Sequence, residues 1–350
     1  MSRWPTLGAM DGSGGSGEVI VGQIGYGYWG PNLARTMAGL DGARLATLAD
    51  LDPGRREQAA SALPGTTVVA DAGDVLDDDR IEAVVIATPP PTHAPLALRA
   101  LRAGKAVLVE KPLALTLADG VEVAEASRAS GRPVMVGHLL LFHPAVVALY
   151  RAVADGALGD IRMIECERTN LGQVRTDLNA WWSLAPHDVS VVLRLTGEDP
   201  VEVSSTGSAF LCDGIEDEVR TTIRFGSGKV ANIHASWLSP LRRRRISVVG
   251  STAMAVFDDD EPVEKLRILD RGVDTGSDPA GPAVLRDRGA TVVEVGDGEP
   301  LRAECRAFVD LVLHSTPNPA GVDEALAVLR VLEAGQRSLR TGAAVSLTGS

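Results

Sequence analysis

Residues 19–32 run Val-Ile-Val-Gly-Gln-Ile-Gly-Tyr-Gly-Tyr-Trp-Gly-Pro-Asn. A short, largely β-branched run, Val19 to Ile24, ends at glycines. Pro31 then stands where the first turn of a helix accepts proline, so a helix is read from Pro31 to Leu40. Between strand and helix, Gly25, Gly27 and Gly30 fit G-x-G-x-x-G. The first glycine allows a tight turn, the second lets backbone approach a pyrophosphate, and the third lets the helix pack close to the strand. The helix N-terminus then offers free N–H groups and a positive dipole end to phosphates. With 37 glycines in the chain the pattern alone is weak, but strand, helix and a downstream acid agree on a dinucleotide site. That acid is Asp50, after the second strand at Arg44 to Leu48. Its carboxylate is placed to accept both adenosine-ribose hydroxyls, which favours NAD. Arg55 and Arg56 nearby would tolerate a 2′-phosphate and keep NADP as the alternative.

Outward from this stretch, strands and helices alternate. Asp52 reads as the N-cap of a helix reaching Leu63, with Pro53 at its first position. Ala83 to Ala87 and Ala106 to Val109 are continuous apolar runs, as buried parallel strands require. Pro95 to Ala103 reads as a helix stopped by Gly104, and Val121 to Ser130 as another before a strand at Val134 to Val136. This alternation predicts α/β architecture with a doubly wound parallel sheet. Past His138 the texture changes. A helix at Pro144 to Ala154 precedes strand-like segments at 161–167, 201–208, 219–225, 230–238, 246–249 and 253–257, several alternating apolar and polar residues. They predict an α+β domain on a large, mainly antiparallel open sheet. Helices at 303–314 and 323–339 close the chain, and Asp270 to Gly289, rich in Gly, Pro and Asp, reads as a surface loop. The expected division is a flexible tail at 1–17, a dinucleotide-binding domain at 18–138, and a substrate-binding and oligomerisation domain at 139–350.

Composition narrows the partners. A net charge of −12 argues against nucleic acid and against a basic membrane-binding face, while a local basic pocket for a phosphorylated small molecule stays open. Cys166, Cys212 and Cys305 are far apart and odd in number. Together with the absence of an apolar leader or a spanning run, they predict reduced thiols in a cytoplasmic protein. His138 and His143 lack carboxylates or thiols at ligand spacing, so no metal is expected. His234 and His314 read as ordinary residues, and Arg242 to Arg245 as a solvated charge run. Lysine is scarce, at Lys105, Lys111, Lys229 and Lys265, so each carries more information than usual; lysine can give up its proton where arginine cannot.

Two further motifs follow apolar strands and so fall at the carboxyl edge of the sheet, where open α/β folds bind ligands: Ala-Thr-Pro-Pro-Pro-Thr-His at 87–93 and Glu-Lys-Pro at 110–112. From position alone Lys111 is either a site residue or a surface partner of Glu110. Together with 25–32, these motifs resemble the glucose-fructose oxidoreductase/inositol dehydrogenase (Gfo/Idh/MocA) family across roughly Glu18 to Leu347. In the second half, 137–144 (Gly-His-Leu-Leu-Leu-Phe-His-Pro), 168–172 (Arg-Thr-Asn-Leu-Gly) and 182–188 (Trp-Ser-Leu-Ala-Pro-His-Asp) resemble its branch of UDP-N-acetylglucosamine-type sugar-nucleotide 3-dehydrogenases.

The resemblance implies a Rossmann domain followed by an α/β domain, and a homodimer or homotetramer. It implies Lys111 and His187 as catalytic residues. Cofactor contacts would come from Gly25, Gly27, Tyr28, Trp29, Gly30, Asp50, Thr88, Pro89, His93, Glu110 and Lys111. Substrate contacts would come from Lys111, Arg168, Asn170, Arg175, Asn179 and His187, with Asp177 beside them; an ordered loop with internal hydrogen bonds is the other reading of 168–179. These types suit alcohol oxidation, since an imidazole can take the hydroxyl proton, a lysine can stabilise the alkoxide, and nicotinamide accepts the hydride. Ser183 departs from the branch, which commonly has Asp four residues before the histidine, so a less basic His187 is expected if the two touch. The expected function is an NAD-dependent oxidoreductase acting at C3 of a nucleotide-linked hexose. The alternatives are an enzyme on a free cyclitol or amino sugar, and a non-catalytic dinucleotide sensor.

Overall fold

A computed structural model of the chain describes residues 17–274 and 283–348. Apart from Gly17, the tail assigned to 1–17 lies outside the described residues. The chain divides into two compact units: residues up to Phe142 with Gly298–Leu329, and His143–Asp297 with the chain from Arg330 onward.

The first unit is built on a parallel six-stranded sheet. Its strands are β1 (Val19–Ile24), β2 (Ala43–Ala49), β3 (Thr67–Val69), β4 (Ala83–Ile86), β5 (Ala106–Val109) and β6 (Val134–Val136). Their order is β3-β2-β1-β4-β5-β6, so the chain reverses direction between β1 and β4. The connecting helices are α1 (Gly30–Ala38), α2 (Pro53–Ala62), α3 (Gly73–Leu76), α4 (His93–Arg102) and α5 (Leu117–Ser130). Local chemistry starts and stops them: Asp52 Oδ1 accepts the Arg55 N–H at 2.9 Å to cap α2, and Gly131 ends α5 in the left-handed conformation. β4 and β5 are buried at every position, as their unbroken apolar sequence requires.

Residues 298–329 return to this unit, although sequence order had placed them in the second domain. The reason is an apolar stripe on α9 (Pro300–His314): Leu301, Cys305, Phe308 and Val309 are buried, and the helix packs on α1 and β1. Arg306 Nη1 donates to Asp41 O at 2.7 Å. The following segment covers the edge of β6, where Ala320 O accepts the Val136 N–H at 2.8 Å and Asn318 Nδ2 donates to Val134 O at 2.9 Å.

The second unit carries α6 (Pro144–Ala154), α7 (Ala180–Leu184) and α8 (Pro186–Thr196) against a nine-stranded sheet. Its strands are β7 (Ile161–Leu171), β8 (Pro200–Ser208), β9 (Glu218–Phe225), β10 (Val230–Ser236), β11 (Leu238–Gly250), β12 (Met254–Asp258), β13 (Leu266–Asp274), β14 (Val284–Val292) and β15 (Val345–Ser346). The order is β14-β13-β12-β11-β7-β10-β9-β8-β15, antiparallel except for β7 beside β10. The last helix, α10 (Val322–Thr341), begins in the first unit and ends in this one.

Two sequence expectations are corrected here. The loop assigned to Asp270–Gly289 is, in its described parts, the antiparallel pair β13 and β14, with Gly272 opposite Arg286 and Val273 opposite Leu285; residues 275–282 lie outside the described residues. The strand expected at 246–249 is the end of the longer β11, which includes the arginine run. Arg245, Arg244 and Arg242 pair there with Asp258, Asp259 and Asp260, at 2.7, 3.7 and 3.0 Å. Cross-strand charge pairing lets this polar stretch stay extended.

Candidate active site

All the motifs of the first unit fall at the carboxyl edge of its sheet. Gly25 follows β1, Asp50 follows β2, Thr88 lies just past β4, and Glu110 and Lys111 follow β5. The glycine loop is shaped for close approach. Gly25 has φ +101°, and a Cβ there would stand 2.4 Å from Ala87 O. A Cβ on Gly30 would stand 2.6 Å from Gly25 O, so the third glycine lets α1 close on the loop. At Gly27 the nearest atom to such a Cβ is the end of the Arg55 side chain at 3.6 Å, which leaves backbone open to a phosphate. Tyr28 is 85% exposed, whereas Tyr26 is buried.

Asp50 Oδ2 accepts the Tyr26 N–H at 2.6 Å and Oδ1 accepts the Asp52 N–H at 2.9 Å, which fixes the carboxylate beside the loop. Arg55 Nη1 lies 3.9 Å from Asp50 Oδ2 and is half exposed. Arg56 instead turns back to the backbone, donating to Asp50 O and Leu51 O, both at 2.9 Å. A bound dinucleotide fits this donor set: a glycine cradle, a helix N-terminus and a fixed acid after β2.

His93, for which a cofactor contact is expected, bridges two loops of the sheet edge. It is 1% exposed, its Nδ1 lies 2.7 Å from Pro112 O, and its Nε2 lies 2.8 Å from Thr88 O. The ring ties the loop after β4 to the loop after β5 and is enclosed by protein. Burial pushes its pKa down, against the pull of the two carbonyls. Thr92 Oγ1 donates to Pro89 O at 2.7 Å, bracing the same turn.

Next to Lys111 stands Glu110, and with it a buried acid, Glu304, that sequence reasoning missed. Glu110 Oε2 accepts the Lys111 N–H at 3.2 Å; burial raises its carboxyl to about 7, with Lys111 opposing. Glu304 on α9 is 1% exposed, and burial followed by the neighbouring Glu110 holds its carboxyl well above the usual range. His138 is buried too, and burial followed by Lys111 holds it down to about 3. The acid and the imidazole act in opposite senses. A carboxyl raised in the fold stabilises fully below its ordinary 4.5 and loses that contribution as pH rises. A depressed imidazole does the reverse, losing its contribution as pH falls from 6.5 towards 3. Glu304→Gln, neutral at every pH, is therefore expected to melt with the parent near about pH 4 and several degrees above it near about pH 8. An equal shift at both pH values in a calorimetric scan would show that Glu304 does not titrate with folding.

In the second unit, His187 stands half-buried in the first turn of α8, and every residue from Asp188 to Thr196 is buried. Pro186 starts this helix, as its position predicts. Ser183 lies on α7, its N–H donating to Asn179 O at 3.0 Å. Arg168, expected to meet substrate, is buried on β7 and forms a bidentate pair with Asp188, Nε to Oδ2 at 2.7 Å and Nη2 to Oδ1 at 2.8 Å. Asn179 is buried as well. It caps α7 by accepting the Trp182 N–H at 3.1 Å, and its Nδ2 donates to Glu216 at 2.6 Å and Gln336 at 2.8 Å. Arg175 and Asp177 form a partly exposed ion pair at 2.6 Å, and Asn170 is half-buried near the end of β7. Of the residues expected to touch substrate, Asn170, Arg175, Lys111 and His187 keep accessible surface. Among the described residues no group of three or more His, Cys, Asp or Glu could hold a metal, and no helix is long and apolar enough to cross a membrane.

A glycine cradle beside a fixed acid at a sheet edge, followed in the chain by an open-sheet unit, defines a two-unit dinucleotide-binding protein of the oxidoreductase class. Comparison with known proteins agrees. Residues 19–138 match the model of an oxidoreductase family with an NAD-binding Rossmann fold, and residues 146–256 match that family's C-terminal domain. Inositol 2-dehydrogenase 1 of Saccharopolyspora erythraea is 37% identical over 192 residues, 53% of this chain and 57% of that protein, so the match spans little more than half of that relative. A structure assigned as an oxidoreductase from Magnetospirillum magnetotacticum MS-1 is 36% identical with a TM-score of 0.80, covering 91% of this chain and 99% of that one. UDP-N-acetylglucosamine 3-dehydrogenase from Acidithiobacillus ferrooxidans is 26% identical, also with a TM-score of 0.80, covering 92% and 97%. The chain belongs to the Gfo/Idh/MocA oxidoreductase family, and its first unit is the family's NAD-binding Rossmann fold.

Proposed function

We propose that this protein interconverts a secondary alcohol and a ketone on a sugar, at C3 of a nucleotide-linked hexose, with NAD. The observation that carries the reading is the glycine cradle, Asp50 and Glu110-Lys111 along one sheet edge. Likeness to the UDP-N-acetylglucosamine 3-dehydrogenase supports the finer substrate. The nicotinamide dinucleotide, when bound, supplies the hydride acceptor. The backbone of Gly25, Gly27 and Gly30 holds its pyrophosphate, and Asp50 holds the adenosine ribose. His187 takes the hydroxyl proton, and the Lys111 ammonium stabilises the developing alkoxide. In the reducing direction His187 returns the proton to the carbonyl oxygen while Lys111 stabilises the same charge. A homo-oligomer belongs to the same proposal.

Likeness to an inositol 2-dehydrogenase favours a second substrate, a free cyclitol. The engagement of Arg168 with Asp188 also removes one cation from the set offered to a diphosphate. A thermal-shift screen separates the two. NAD, NADH, NADP and NADPH are each tested with UDP- and dTDP-hexoses and with myo-inositol, and absorbance of the reduced cofactor then follows turnover. A ligand at about 100 times its dissociation constant adds roughly 2.7 kcal/mol, an easily read shift. A joint shift with a nucleotide sugar supports the first substrate, and one with inositol the second. Dinucleotide binding without turnover of any sugar or cyclitol would replace the enzyme by a sensor.

A further inference from the structure

One residue of β1 does not match its surroundings. Gln23 lies in the strand between β2 and β4 and is 0% exposed. A wholly buried amide in the core of a parallel sheet needs a physical reason. Its Nε2 donates to both ends of the glycine loop, to Gly25 O at 2.8 Å and to Gly30 O at 2.9 Å. Because both partners are acceptors, the amide has one orientation; turned over, Oε1 would face two carbonyl oxygens. Oε1 is left buried and without a hydrogen-bond partner among the described residues. An orphaned acceptor inside a core is a cost, set here against the two hydrogen bonds that the same amide donates.

The same loop is gripped from its other side. The Gly25–Tyr26 peptide is held at its C=O by Gln23 and at its N–H by Asp50 Oδ2, at 2.6 Å. Gly30 O, the other oxygen Gln23 holds, belongs to the first residue of α1. One side chain therefore joins the loop's entry from β1 to its exit into α1, across the span where a Cβ on Gly30 would collide with Gly25 O.

We infer that Gln23 is a positioning residue for dinucleotide binding, which fixes the shape of the glycine loop before the ligand arrives. It touches no ligand itself. A loop already ordered has less freedom to lose on binding, so its staple raises affinity without adding a contact. The inference rests on the cofactor assignment and extends it to a residue that no part of the G-x-G-x-x-G pattern names.

The test uses the full chain. Gln23→Met keeps the length of the side chain and removes both donors. NADH binding is titrated by fluorescence at a temperature where circular dichroism shows parent and variant fully folded, and Tm is measured without ligand. Two ordinary neutral hydrogen bonds correspond to about a tenfold rise in Kd. The apo Tm is expected to move little, because the orphaned oxygen is gone while Gly25 O and Gly30 O lose a donor. An unchanged Kd overturns the inference, and so does a Tm that falls in step with affinity, which would assign Gln23 to the core alone. Should Gln23→Met not fold, Gln23→Leu, which also removes both donors and adds no charge, decides on Kd alone, a rise supporting the inference and the parent value overturning it. A parent protein that binds no nicotinamide dinucleotide would overturn the cofactor assignment as well, whereas an unchanged Kd overturns the inference alone.

Discussion

Lys111→Ala is expected to lower kcat by about a thousandfold, while the Kd for NADH moves by no more than a few-fold. The Lys111 charge matters most when the hydroxyl oxygen turns anionic, so its removal raises the barrier more than it weakens ground-state binding. Lys111→Arg should rescue little. A guanidinium keeps the charge, but it is a larger planar fork that cannot place it at the same point. His187→Asn tests the other half of the mechanism. It should cost a comparable factor and remove the limb of the kcat/KM pH profile that deprotonation of an imidazole provides. A Lys111→Ala enzyme with parent activity would end the proposed chemistry, whatever the cofactor.

The second large effect is on stability. Asp188→Ala leaves the Arg168 guanidinium buried without its carboxylate, and losing one partner of a buried pair costs about 3–5 kcal/mol. Set against a typical folding stability of about 5–15 kcal/mol, that is a large share. Trp181, Trp182 and Trp237, three of the five tryptophans, lie in the second unit, so urea unfolding followed by tryptophan emission reports chiefly on that part of the chain. The double variant Arg168→Met with Asp188→Leu should recover much of the loss, because a buried ion pair is often replaceable by apolar groups of similar volume. A midpoint unmoved by Asp188→Ala would mean that the pair contributes nothing. Because Asp188 follows His187 on α8, any activity left in the double variant shows how far the pair orients the histidine.

Much of the first unit could be read from sequence because its rules are local. The apolar runs of β4 and β5, the Asp52-Pro53 helix start and the glycines after β1 each carry their own instruction. What could not be read depended on residues far apart in the chain. The arginines of β11 look like a solvated run until Asp258 to Asp260 lie opposite them. β13 and β14 flank a Gly- and Pro-rich stretch whose composition masked their pairing. Arg168 and Asn179 are expected ligand contacts because they match the family branch, and only tertiary partners, Asp188 and Gln336, show where their hydrogen bonds go. Gln23 did leave a signal: a lone amide in an apolar strand two residues before Gly25.

The return of residues 298–329 to the first unit bears on how the protein is made. A ribosome that has released residues 17–142 has exposed every strand of the parallel sheet, but not the helix that covers β1 and α1 or the segment that covers β6. Those arrive only after the whole 143–297 insertion has been synthesised, at ordinary elongation rates of about 5–20 residues per second. For that interval the nascent sheet carries an uncovered apolar face and a bare strand edge, so folding in vivo would depend on holding that surface apart from other chains.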